Sequence, residues 1–301
     1  MFKGKALYQP QGRSGEYAKW AINFYNGCTG GCEYCYNKRF PLLSNTKPTL
    51  KACFKDNDNA LKTAVKEIQK NKEEIIRDGG IFLSFVSDPC LPETISLTNA
   101  IIQYCSTPYQ FEILRKEVSN SYEILKNLQD VCELEIPIII LTKQADWILK
   151  KDLPQYKDIN RYVDYDDSLH KNVAFGFTLT GHDEMEPGCS SNIDRIRAME
   201  VLHNKGYRTW ASIEPIIDFD SSLEMIRLAA PFCDHFKIGI RTDRKFTCTQ
   251  EEIDYFVNGV QILAAVGGNT VYFKQSFLNH TEGNQIKGQN IVDKNFNFFK
   301  P

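Results

Sequence analysis

Apolar positions along this chain follow two rhythms. Uninterrupted runs recur at Ile81 to Val86 (IFLSFV), Ile136 to Thr142 (IPIIILT) and Val173 to Leu179 (VAFGFTL). Each is too short for a helix, and continuous apolar character marks a strand covered on both faces. Lys19 to Phe24, Arg208 to Ile213 and His235 to Ile240 read as strands too, with Thr270 to Lys274 as a final one. Elsewhere the spacing widens to three and four. Asn59 to Asp78 carries apolar residues at 61, 64, 65, 68, 75 and 76, one helical face that Gly79-Gly80 stops. Helices are also expected over Thr94 to Cys105, Val118 to Cys132, Ile193 to Asn204, Ser221 to Ala230 and Gln250 to Val266. The one from Ile193 has Ser190, Ser191 or Asn192 as its cap and Gly206 as its stop. Lys38 to Asn59, with Pro41 and Pro48, and the acidic, Tyr-rich Lys150 to Lys171 read as connectors.

These strands, alternating with helices, argue for parallel βα units joined by right-handed crossovers, an α/β fold. Ligands of such sheets gather at the carboxyl ends of the strands. Ser87, Lys143, Thr178 and Ser212 or Glu214 all fall at such ends, and a cysteine-rich loop follows the first strand. One shared site is therefore expected.

Composition narrows the class. Of 301 residues, 42% are hydrophobic and 25% charged, the balance of a globular protein. A formal net charge of −2 lacks the excess of a dedicated nucleic-acid binder, though Lys38, Arg39 and Lys47 form a small basic group. Met1 to Pro10 has no apolar core of signal-peptide length, and no run reaches membrane-spanning length. Seven of the ten cysteines are scattered and read as reduced, buried residues of a cytoplasmic chain. The five histidines show no metal-ligand spacing. Trp20, Trp147 and Trp210 adjoin expected elements and read as core.

The other three cysteines carry the chemistry. Cys28, Cys32 and Cys35 stand as C-x3-C-x2-C with Gly27, Gly30 and Gly31 among them and Tyr34 and Tyr36 flanking the last. Three thiolates on a glycine-loosened loop suit one soft iron–sulfur centre. No fourth cysteine follows before Cys53, so a cubane held here keeps one iron open. A structural zinc site would want four ligands, and a ferredoxin a fourth cysteine.

The loop resembles that of the radical S-adenosylmethionine (SAM) superfamily. That resemblance implies a partial (β/α)6 TIM-like barrel, a 4Fe–4S cluster on Cys28, Cys32 and Cys35, and SAM on the open iron. SAM would be cleaved there to methionine and a 5′-deoxyadenosyl radical that abstracts hydrogen from a substrate. The second half is similar to the spore photoproduct lyase branch. Phe177-Thr178-Leu179-Thr180, Glu186-Pro187-Gly188-Cys189-Ser190-Ser191, Arg195, Gly206-Tyr207 and Ile213-Glu214-Pro215-Ile216 follow its order, as do Ser87-Asp88 and Thr142-Lys143. The likeness covers about 18–245 of a single 1–301 domain, leaving 246–301 as an extension. Val271-Tyr272-Phe273-Lys274-Gln275 and Ser212-Ile213-Glu214-Pro215 also resemble phage-associated, uncharacterised radical-SAM-like proteins.

Carried over, the likeness assigns Tyr36 to the adenine and Ser87 and Lys143 to the methionine end of SAM. Thr178 goes to the ribose or carboxylate, and Arg195 to the cofactor or a neighbouring acidic group. Ser212 and Glu214 complete the expected cofactor contacts. Where that branch has a hydrogen-donating cysteine before its Ser-Asp pair, this chain has Val86, and Cys90 in the same loop is the alternative donor. The resemblance implies a nucleic-acid or nucleotide substrate and an external flavodoxin- or ferredoxin-like electron donor, with no membrane partner. A peptide or small-metabolite substrate, or a non-catalytic iron–sulfur protein, are the alternatives.

Overall fold

The computed structural model describes residues 3–40, 43, 47–106, 135–150, 152, 153, 156, 172–242 and 246–300. Its strands are β1 Leu7–Tyr8, β2 Trp20–Ile22, β3 Tyr25–Asn26, β4 Thr49–Leu50 and β5 Ile81–Leu83. They continue with β6 Ile138–Thr142, β7 Val173–Thr178, β8 Arg208–Ile216, β9 His235–Ile240 and β10 Thr270–Phe273. Eight of them form one sheet in the order β1-β2-β5-β6-β7-β8-β9-β10. β1 pairs antiparallel with β2, and all other neighbours are parallel. From β2 onward spatial order equals chain order, so every crossover steps the same way and right-handed crossovers lay their helices on one face.

The α/β class follows as expected, whereas the partial (β/α)6 barrel is not shown. Among the described residues the sheet is open, edged by β1 and β10, and contains seven parallel strands. β1 occupies the outer hydrogen-bonding edge of β2, where a closing strand would have to pair. β3 and β4 form a separate antiparallel ribbon, and the cysteine loop is the connection between them.

The helices are α1 Asn57–Arg77, α2 Ile95–Ser106, α3 Asp146–Leu149, α4 Asn192–Asn204, α5 Phe219–Ala229, α6 Gln250–Gly267 and α7 Gln275–Leu278. Their starts are set by side chains that accept otherwise unpaired backbone N–H groups: Asp56 from Asn59, Ser191 from Asp194 and Asp218 from Ser221. Thr249 and Glu252 form a reciprocal capping box on α6. The expected helix over 118–132 lies outside the described residues, as does most of the connector over 150–171.

Side chains alternate across the sheet with period two, and the two faces bury different things. Ile22, Leu83, Ile140, Phe175 and Ile213 join the large core under the helices. Ala21, Phe82, Ile139, Ala174 and Trp210 face the other way and pack with Phe298. Gly176 is required on that face, because a Cβ there would lie 2.1 Å from Cε2 of Trp210. Farther along the strands the same face turns polar, with Ser84, Thr178, Ser212 and Glu214. An apolar floor under a polar upper rim is therefore built into the alternation.

Candidate active site

Above that floor lies a cavity of about 420 Å³, lined on one side by Cys28, Cys32 and Cys35. The loop that carries them is tied down from two directions. Asn37 Nδ2 donates to the Val86 carbonyl at 2.8 Å, and the Tyr36 hydroxyl donates to the Phe85 carbonyl, so the chain after Cys35 is fixed to the end of β5. On the other side Glu33 N–H donates to Met185 O at 2.9 Å, and Gly188 N–H donates to Gly30 O at 3.0 Å. Gly188 must be glycine: a Cβ there would lie 2.1 Å from the Thr29 carbonyl oxygen.

Asp88 organises the next wall. Its carboxylate accepts from Thr142 Oγ1 at 2.6 Å and from the backbone N–H of Lys143 at 2.7 Å and Cys90 at 2.9 Å. This couples the loop after β5 to the end of β6 and presents both Ser87 and Lys143 to the cavity. The Ser87 hydroxyl is buried and has no partner among the described residues. Lys143 Nζ lies 5.5 Å from the Tyr34 ring centroid. Burial works against its charge, but Tyr34, Cys32 and Glu186 outweigh burial and hold the ammonium well above its ordinary range.

Arg195 and Glu186 form a fully buried ion pair at 2.7 Å. Arg195 also donates to Ser190 O at 2.9 Å and Thr178 O at 2.8 Å, while the Tyr34 hydroxyl donates to Glu186. Of the two expected roles for Arg195, the geometry matches bracing of an acidic neighbour. It joins the end of β7, the turn before α4 and Tyr34 without lining the cavity itself.

The far wall belongs to β8 and the end of β10. Tyr17 donates its hydroxyl to Glu214 Oε2 at 2.5 Å and lies 2.8 Å from Ser212 Oγ. Lys274 Nζ donates to the same carboxylate oxygen at 2.5 Å and stands 4.0 Å from the Tyr17 ring centroid. Below them Lys237 donates to the carbonyls of Glu16 and Tyr17 at 3.2 and 3.1 Å. Burial, then the Lys274 charge, push its amine down to about 7.

Of the expected site residues, Cys28, Cys32, Cys35, Tyr36, Ser87, Lys143, Thr178, Ser212 and Glu214 line one cavity. Cys90 stands apart from them: it is wholly buried among core residues, absent from the cavity lining, and burial pushes its thiol well up. Asp88 lay within a matched Ser-Asp pair, Cys189 within the E-P-G motif and Lys274 within the final strand. No role attached to any of them in sequence. Tyr17 had no sequence signal at all, since its partners are nearly two hundred residues away.

Among the described residues, no three His, Cys, Asp or Glu side chains are grouped as one metal ion would need. The three loop cysteines line the cavity and are free of disulfides. A soft, thiolate-bound cluster fits this donor set, and the orphaned Ser87 hydroxyl marks a place for a polar ligand beside it. Burial raises Cys28 to about 11 and raises Cys35 as well. Cys32 goes the other way, to about 6, because it shares a hydrogen bond with Cys189 and faces Lys143.

No family model matches the chain. An uncharacterized protein of Methanocaldococcus jannaschii is 27% identical over 206 residues, 66% of this chain. The chain spans 61% of that relative's length. Among solved structures the fold is similar to a spore photoproduct lyase variant with bound AdoMet and dinucleoside spore photoproduct. The TM-score is 0.51 at 14% identity, covering 85% of this chain and 76% of the other. Among the described residues no helix is long and apolar enough to cross a membrane.

Proposed function

We propose that this chain is a radical SAM enzyme with a nucleotide-containing substrate. The carrying observation is that the three C-x3-C-x2-C thiols share one cavity with the polar ends of β5, β6, β7 and β8. Cys28, Cys32 and Cys35 would hold a 4Fe–4S cluster. Such a cluster supplies one electron that splits bound SAM into methionine and a 5′-deoxyadenosyl radical.

The chain's own residues do the binding and shielding. Lys143 offers a compact charge with three donors, suited to the carboxylate of SAM. Ser87 brings a hydroxyl that has no protein partner to satisfy it. Tyr36 and Thr178 would flank the adenosine. Glu214 is already engaged by Tyr17 and Lys274, so it acts as a rigid acceptor and keeps the far wall in place. Phe82 and Leu141 line the apolar floor and exclude water from a radical that would otherwise be quenched.

The substrate class rests on two supports. The similar solved structure holds a dinucleoside, and Arg13 and Arg39 line this cavity as exposed cations suited to phosphate. The test is anaerobic incubation of the iron-loaded protein with SAM, dithionite and deuterated oligonucleotides. The reading expects 5′-deoxyadenosine that carries deuterium. Formation of 5′-deoxyadenosine without label would reject the substrate class, and formation of none would reject the enzyme class.

A further inference from the structure

A fourth sulfur meets the cysteine loop. Cys189 Sγ lies 3.8 Å from Cys32 Sγ and 3.6 Å from the Gly30 carbonyl oxygen. The point where Gly30 would carry a Cβ measures the convergence. Cys189 Sγ is 3.1 Å from it, Cys28 Sγ 3.5 Å and Cys32 Sγ 3.7 Å. Any side chain larger than hydrogen at position 30 would enter the space these three sulfurs surround.

The approach is fixed by backbone. Cys189 N–H donates to Glu186 O at 3.0 Å, closing the turn that carries it. That turn is docked on the loop through Gly188 and Gly30, and through Met185 and Glu33. Beneath it Arg195 is 0% exposed, held by Ser190, Thr178 and Glu186, and its Nη2 has no partner among the described residues.

We propose that Cys189 is a fourth cysteine ligand of the cluster site, bound to the iron that the loop cysteines leave open and displaced from it by SAM. This rests on the radical SAM reading above. The exchange moves no electron. One iron–sulfur bond would break as SAM takes the vacated position, and the freed sulfur would return to where it now meets Cys32 and the Gly30 carbonyl. Without SAM, four cysteines guard the cluster against losing an iron. With SAM, the guard swings aside.

The test reads the sulfur and the iron separately. Wild-type protein is reconstituted anaerobically and its iron and sulfide are counted. Cys189 is then alkylated with iodoacetamide in the apo, cluster-loaded and cluster-plus-SAM forms and quantified by mass spectrometry. The expected pattern is labelling of the apo form, several-fold protection by the cluster and recovery on adding SAM. In parallel, mild ferricyanide oxidation without SAM should convert several-fold more cluster to the 3Fe form in Cys189→Ala and Cys189→Ser than in wild type, read by electron paramagnetic resonance. A cluster that forms while Cys189 labels equally in all three forms overturns the ligand assignment alone. No cluster in wild-type protein overturns the radical SAM reading as well, and the iron count reveals this before Cys189 is probed.

Discussion

Lys274 and Glu214 meet at 2.5 Å on the wall opposite the cysteines, and the Tyr17 hydroxyl donates to the same carboxylate oxygen. Three distant segments, the one before β2, β8 and the end of β10, are thereby locked around one atom. Lys274 is almost wholly buried, and this carboxylate is its near hydrogen-bond partner. Replacing one member strands the other. Lys274→Met should cost about 3 kcal/mol of unfolding free energy, whereas Lys274→Met with Glu214→Gln should recover much of that loss. Denaturant midpoints of the two variants check this.

Gly176 and Trp210 give a second prediction. A methyl group at 176 would overlap the indole, which is fully buried and backed by Phe298. Gly176→Ala should destabilise the chain by about 3 kcal/mol through overpacking. Adding Trp210→Phe should relieve part of the cost, a compensation that thermal unfolding would reveal.

The strands were legible because β5, β6 and β7 are buried on both faces and so read as continuous apolar runs. The cysteine loop was legible because Cys28, Cys32 and Cys35 lie within eight residues. The far wall was not. Tyr17 and Glu214 are 197 residues apart, and nothing local marks a tyrosine that will meet a carboxylate. Cys189 stands within the Glu186 to Ser191 stretch, and only the docking of that stretch on the loop brings its sulfur to Cys32. Strand count and alternation do not say how far the sheet curls, so they give the parallel order but not a barrel.

His182 supplies a pH dependence. Its ring nitrogens lie 2.7 Å from Glu184 and 2.6 Å from Asp218, the cap of α5. Burial disfavours the charged ring, but these two carboxylates outweigh it and raise its pKa above 6.5. The stabilisation is therefore complete below 6.5 and fades as pH rises through the raised value. His182→Gln should unfold more easily than wild type at about pH 5, with the gap closing toward about pH 9. Urea midpoints across that range test the sign.

The role proposed for Lys143 gives a binding prediction. Lys143→Met keeps the length of the side chain and removes the charge that would meet a carboxylate. Loss of one charge-assisted contact should weaken SAM binding by about tenfold or more. Equilibrium dialysis of cluster-loaded protein measures this, and an unchanged Kd would remove Lys143 from the cofactor site.

Everything chemical in this account rests on what Cys28, Cys32 and Cys35 hold. The most direct measurement is metal and sulfide analysis with Mössbauer spectroscopy of anaerobically reconstituted protein, wild type beside Cys32→Ala. The account predicts about four irons and four sulfides per chain in a 4Fe–4S signature, lost in the variant. Zinc bound in place of iron, or an iron centre indifferent to Cys32, would contradict it.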